Sequence, residues 1–107
     1  MCGGKRPPGF NKGYFYEPTI FDNIKDDFKI MTIEPFGPLT PILIFKNFDE
    51  VIKRANNQVA GLAGYVCTNS IELANKTSEA LETGMVAVNT PFISNAETPF
   101  GGIKQSG

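Results

Sequence analysis

The sequence predicts an α/β fold of order βαβαβ with parallel strands, preceded by one further strand and followed by a long C-terminal loop. Three observations carry this prediction. Two stretches repeat apolar residues at helical spacing, three short runs have the apolar and β-branched composition of buried strands, and the five alternate along the chain. Strand–helix–strand units with short connections favour a parallel sheet with right-handed crossovers.

The stretch from Gly3 to Gly13 is rich in Gly and Pro and reads as a surface loop. Tyr14, Phe15, Tyr16, Thr19, Ile20 and Phe21 predict the N-terminal strand, with Pro18 marking an edge or a bulge. Residues 22–29 are polar and form a connection. Ile42-Leu43-Ile44-Phe45 is a continuous apolar run of the kind found in strands covered on both faces. Phe48, Val51, Ile52 and Ala55 then recur at helical spacing, with Asn47 placed to cap the helix, Glu50 three residues later, and termination near Asn56-Asn57.

Residues 63–68 predict the next strand. Asn69 or Ser70 caps a second helix with Ile71, Ala74, Ser78 and Leu81 on its inner face, and Gly84 stands as its C-terminal stop. Residues 85–88 supply the last strand, and residues 89–107 read as an extended loop. Loops at the C-terminal ends of parallel strands are where ligands bind, which directs attention to the segment after Val88.

Composition excludes several kinds of chemistry. With 107 residues, 41% of them hydrophobic, the chain has room for one small domain at most. A formal net charge of −1 leaves no basic footprint for nucleic acid or an anionic membrane surface. No apolar run approaches the roughly 20 residues of a membrane span, and the N-terminal residues lack the apolar segment of a secretory signal, so a cytoplasmic location is expected. Histidine is absent, which removes His-based acid–base catalysis and most zinc sites. Cys2 and Cys67 form no CxxC, so no metal site is expected. Cys67, inside an apolar strand and without a nearby cation, reads as a small buried hydrophobe rather than a nucleophile.

One local constellation suits a nucleotide. Glu34-Pro35-Phe36-Gly37-Pro38 sets a carboxylate and an aromatic ring among rigid turn formers. A carboxylate can accept hydrogen bonds from a ribose diol, and an aromatic face can support a flat heterocycle. On composition alone, a solvated Glu beside a core Phe is the simpler reading. Gly101-Gly102 with Lys104 matches no phosphate-loop spacing.

The succession of Glu34-Pro35-Phe36-Gly37-Pro38, Ala55-Asn56, Gly61-Leu62, Gly84-Met85-Val86-Ala87-Val88-Asn89 and Pro99-Phe100-Gly101-Gly102-Ile103-Lys104-Gln105-Ser106-Gly107 resembles the aldehyde dehydrogenase superfamily. The match runs essentially the whole length, with Gly3-Gly4, Gly13-Tyr14-Phe15 and Glu17-Pro18-Thr19-Ile20 in the same order. One departure is Ile33 before Glu34, where the family often has a second acidic residue.

The resemblance implies that residues 1–107 are the C-terminal portion of an aldehyde dehydrogenase catalytic domain. In that family a cysteine thiolate attacks the aldehyde, a hydride passes to NAD or NADP, and a glutamate activates the water that releases the acid. Both of those residues and the Rossmann cofactor segment normally precede the region seen here, so no catalytic residue is assigned and the chain alone is expected to be inactive. Glu34 would hold the nicotinamide-ribose hydroxyls, and Phe36 would pack near the nicotinamide. Residues 89–95 would lie in the substrate loop. Ile93-Ser94-Asn95 before Pro99-Phe100-Gly101-Gly102 resembles the succinate-semialdehyde dehydrogenase branch, which would give Ser94 a role in binding the substrate's far carboxylate.

The rest of the parent subunit and further copies of it are the expected protein partners, and an aldehyde is the expected small-molecule partner. A free-standing nucleotide-binding module and a non-catalytic interaction module remain as alternatives. In isolation, apolar strand edges and faces would make the chain prone to self-association.

Overall fold

A computed structural model describes residues 2–107. The chain divides into two units, the first ending at Ile44 and the second being Phe45–Gly107.

In the first unit, β1 (Thr19–Phe21) pairs in parallel with β2 (Leu39–Pro41) in the register Thr19↔Leu39. On β1, Ile20 also exchanges two 3.2 Å backbone hydrogen bonds with Cys2. The strand is therefore flanked on both sides, and the expected edge or bulge at Pro18 is replaced by a strand that starts immediately after it. Tyr14, Phe15 and Tyr16 lie outside the strand and are exposed. Thr19 is the anchor. It is 1% exposed, its hydroxyl donates to the Glu17 carbonyl at 2.8 Å, and it accepts from the Gly4 N–H at 2.8 Å. Gly3, at φ 78°, approaches so closely that a Cβ would strike the Pro18 carbonyl and the Thr19 hydroxyl. A single 3-10 turn, Lys29–Met31, interrupts the polar connection.

The expected strand at 42–45 does not form. Ile42 N–H continues the ladder to the Phe21 carbonyl at 2.8 Å. The partner strand then turns away, with Asn23 at φ 53°, and the apolar run continues outside any strand with Ile44 84% exposed. Its composition was suited to a strand, but the backbone it would follow has left the ladder.

In the second unit, α1 (Phe48–Asn56) begins as expected. The Asn47 side chain accepts from Glu50 N–H at 2.9 Å, while the Glu50 carboxylate reaches back to Lys46 N–H at 3.0 Å, a reciprocal arrangement of the capping-box kind. Asn47→Ala should lower stability by about 1 kcal/mol, read as a shifted urea midpoint with unchanged slope. The second helix, α2 (Ile71–Ala80), is capped by Ser70, whose hydroxyl accepts from Leu73 N–H at 3.2 Å. Ala74 is buried beneath it, but Ile71 is 78% exposed, and Leu81 lies beyond the helix in extended conformation. The inner face is thus narrower than its spacing implied.

Strands β4 (Ala63–Val66) and β5 (Met85–Val88) pair in parallel across α2, in the register Ala63↔Met85 through Val66↔Val88. This βαβ unit is the predicted one, and Ala87 is buried at its centre. A short strand before it, β3 (Ala60–Gly61), pairs antiparallel with β6 (Ile103–Lys104), which lies within the stretch expected to be loop. Among the described residues the sheets are therefore three two-stranded pairs rather than one three-stranded parallel sheet. Gly84 is not a helix stop. Its φ is not positive, its N–H donates to the Gly61 carbonyl at 2.9 Å, and it is closely approached by Gly101-Gly102.

Candidate functional site

Glu34 and Phe36 share one tight segment of the first unit. Gly37 N–H donates to the Pro35 carbonyl at 2.9 Å, and Leu39 N–H donates to the Gly37 carbonyl at 2.8 Å. These are consecutive three-residue turns with Phe36 and Pro38 at their centres. Pro35 and Pro38 fix φ on either side, so the segment has little freedom to rearrange. Phe36 is displayed at the first apex and is 96% exposed. Glu34, just before it, is exposed as well. A carboxylate and an aromatic face thus stand free beside each other on a stiff support, whereas the simpler sequence reading places Phe36 in a core.

Ser94 belongs to the second unit. It lies in the segment between β5 and β6, is exposed, and has no hydrogen-bond partner among the described residues. Around it, the hydrogen bonds are local. The Asn95 side chain accepts from Glu97 N–H at 3.0 Å, Thr98 N–H at 2.9 Å and the Thr98 hydroxyl at 2.8 Å, a self-contained turn.

At the C-terminal ends of β4 and β5 lies an open cavity of about 590 Å³, lined by Tyr65, Cys67, Asn89, Thr90 and Pro91. This is the position that parallel-strand geometry favours for ligands. Cys67 is exposed there rather than buried, because the strand ends at Val66 and the next residue leaves its cover.

Two asparagines that the sequence reading placed only at a helix end and at the start of a loop hold this unit together through their side chains. Asn56, the last residue of α1, donates from Nδ2 to the Ala80 carbonyl at 2.8 Å and accepts at Oδ1 from Glu82 N–H at 2.9 Å. Asn89, at φ 56°, accepts at Oδ1 from Thr68 N–H and donates from Nδ2 to the Thr68 carbonyl, both at 2.9 Å. The available signal was an Asn directly after an apolar strand, a residue type that tolerates the left-handed region and bonds main chain with its side chain. Lys104, also left-handed at φ 55°, places Nζ 2.7 Å from both Glu82 Oε2 and the Asn56 carbonyl. Its ammonium is committed to these partners, which argues against a phosphate loop at Gly101-Gly102.

The chemistry of the exposed side chains suits a nucleoside: a carboxylate for two ribose hydroxyls and a ring for a flat heterocycle. Among the described residues, the N-termini of α1 and α2 are closed by their own Asn47 and Ser70 caps, which leaves neither open to a pyrophosphate. Among the described residues, no group of three or more His, Cys, Asp or Glu side chains is placed to hold a metal ion, and no helix is long and apolar enough to cross a membrane.

A model of the aldehyde dehydrogenase family matches residues 1–107. Aldehyde dehydrogenase 1A1 of Bos taurus is 48% identical over 106 residues, covering 99% of this chain and 21% of the relative. Among solved structures, a succinate-semialdehyde dehydrogenase from Burkholderia pseudomallei superposes with a TM-score of 0.93 at 44% identity, over 100% of this chain and 22% of that one. An aldehyde dehydrogenase of Mycobacterium tuberculosis in complex with NAD+ gives 0.92 at 36% identity, over 99% and 22%. An NADP-dependent enzyme of E. coli gives 0.93 at 42% identity, over 99% and 22%. The chain therefore spans about a fifth of the bovine relative and of these structures.

Proposed function

The chain belongs to the aldehyde dehydrogenase family, and on that premise we propose that residues 1–107 are the C-terminal portion of the catalytic domain of an NAD(P)-dependent aldehyde dehydrogenase. The carrying observation is the Glu34–Phe36 turn, which displays a carboxylate and a bare aromatic ring on a proline-stiffened support. Glu34 accepts hydrogen bonds from the two nicotinamide-ribose hydroxyls, and Phe36 packs near the nicotinamide. NAD+ or NADP+, when bound, supplies the hydride acceptor. Either coenzyme is compatible with these contacts, because they read only its nicotinamide end. The NAD+ complex and the NADP-dependent enzyme among the similar structures support both.

Residues 89–95 lie in the substrate loop. Succinate semialdehyde is the proposed aldehyde, supported by the unpartnered Ser94 hydroxyl, which suits a carboxylate, and by the likeness to the Burkholderia enzyme. The remainder of the subunit covers the exposed apolar side chains, Ile44 and Phe92 among them, and the assembled enzyme is a homo-oligomer. A cytosolic setting is supported by a relative named cytosolic aldehyde dehydrogenase 2 from Macroscelides proboscideus, 48% identical over 106 residues.

A chimera tests the proposal. Residues 1–107 would replace the matching segment of the bovine relative, and aldehyde oxidation would be followed by the near-ultraviolet absorbance of the reduced coenzyme, whose nicotinamide ring accepts the hydride. The chimera is expected to turn over, and Glu34→Ala is expected to raise the coenzyme KM about tenfold, the loss of a hydrogen-bonded charged group, while leaving the aldehyde KM unchanged. An inactive chimera, or a Glu34→Ala chimera with unaltered coenzyme KM, would refute the reading. Calorimetric titration of the 107-residue chain with either coenzyme should show at most weak binding, since only ribose and nicotinamide contacts are available. Saturable binding that depends on Glu34 would point instead to an independent nucleotide module.

A further inference from the structure

We propose that Asn89 is a positioning residue that aims the substrate loop it begins, an assignment that rests on reading residues 89–95 as part of that loop. The argument starts from the ladder. In the β4–β5 register, Asn89 falls opposite Cys67, so its N–H should donate to the Val66 carbonyl and its main-chain carbonyl should accept from Thr68 N–H. The first bond is present at 2.8 Å. The second is made differently: Thr68 N–H donates to the Asn89 side-chain carbonyl, Oδ1, at 2.9 Å.

The backbone explains the exchange. At φ 56° the main chain of Asn89 has rotated out of the extended region and left the sheet, and the side-chain amide takes over the rung that the main chain abandoned. Nδ2 then closes a second bond to the Thr68 carbonyl at 2.9 Å. The strand ends with its hydrogen bonds satisfied, and the loop departs in one direction set by a left-handed backbone and two side-chain bonds.

Few residues can do this. Glycine reaches the backbone conformation but makes neither bond. Aspartate keeps the acceptor and loses the donor, setting a carboxylate oxygen against the Thr68 carbonyl. Glutamine carries its amide one methylene too far.

The clamp borders the cavity lined by Tyr65, Cys67, Thr90 and Pro91, so the departure angle also sets the shape of that cavity. Among the described residues, the hydrogen bonds within residues 90–98 are local turns such as that at Asn95, and the chain is next held where Gly101-Gly102 approach Gly84. Its direction is therefore decided at its ends.

Two measurements on wild type, Asn89→Gly and Asn89→Asp test this. In the bovine chimera, both variants should raise the aldehyde KM roughly tenfold with coenzyme KM unchanged, the effect of losing one or two loop-fixing hydrogen bonds. In the 107-residue chain, amide hydrogen exchange should show Thr68 N–H protected in wild type and unprotected in Asn89→Gly. Variants that lower the melting temperature while leaving the ratio of aldehyde to coenzyme KM untouched would overturn the positioning role. So would Thr68 protection that does not depend on Asn89. An inactive wild-type chimera would count against the proposed function, and the exchange result on the shorter chain would still decide whether the clamp exists.

Discussion

Gly84→Ala should destabilise the second unit by about 2 kcal/mol, within the range of substitutions that force atoms into well-packed structure. A Cβ at this position would collide with the Gly101 carbonyl oxygen and stand 2.6 Å from Gly102 Cα. Both obstacles are main chain, so no side-chain rotation relieves them. The strain falls where β5 begins and where the chain returns toward β6, so relief by backbone movement would cost the β3–β6 pairing. Gly101→Ala is the matched control, because nothing lies within 4 Å of its added Cβ. It should change stability by less than about 0.5 kcal/mol, as open surface positions do. Urea unfolding of the 107-residue chain reads both, and equal midpoints for the two variants would show that the close approach is not real.

Asn56→Ala should cost about 2 kcal/mol, since it removes two side-chain hydrogen bonds that join the end of α1 to the end of α2 and the start of the turn into β5. Asn56→Asp should be no milder. It keeps an acceptor for Glu82 N–H but sets a carboxylate against the Ala80 carbonyl in place of a donor. The main-chain carbonyl of Asn56 also receives Lys104 Nζ at 2.7 Å, so movement of this residue is felt at β6. Coupling can be measured with Lys104→Met in a double-mutant cycle on thermal unfolding. Strictly additive effects would show that the two contacts are independent.

These two residues illustrate what could be read from sequence. The caps at Asn47 and Ser70, the ends of α1, the strand at residues 85–88 and the parallel β4–β5 unit were legible because their determinants are local: a side chain bonding three residues on, or an apolar run between turn formers. Gly84 was misread because a helix stop and a close backbone approach ask for the same residue, and only the partner, Gly101-Gly102, distinguishes them. The strand expected at 42–45 failed for a related reason, since composition shows an apolar run but not where its partner turns away at Asn23. The β3–β6 pair is two residues long and joins distant segments, so no periodicity could announce it. Of the candidate site, Glu34 and Phe36 were visible as chemistry among prolines, whereas the exposure of Phe36 followed from turn geometry. The exposure of Ile71 and Cys67 reflects where helix and strand stop relative to their cover, which spacing alone does not give.

The pairing of β3 with β6 has a bearing on the order in which the second unit forms. Once β4 and β5 are zipped, docking β6 closes the span from Val88 to Ile103, which costs about 2 kcal/mol of chain entropy by polymer statistics. Two paired residues, the Lys104 ion pair and its bond to the Asn56 carbonyl, a Ser106 bond to Gly61, a few backbone bonds and the approach of Gly101-Gly102 to Gly84 offset that cost. The C-terminal strand is thus expected to be the last piece to join and the first to detach. Amide exchange should therefore be faster across the β3–β6 pair than across the β4–β5 pair.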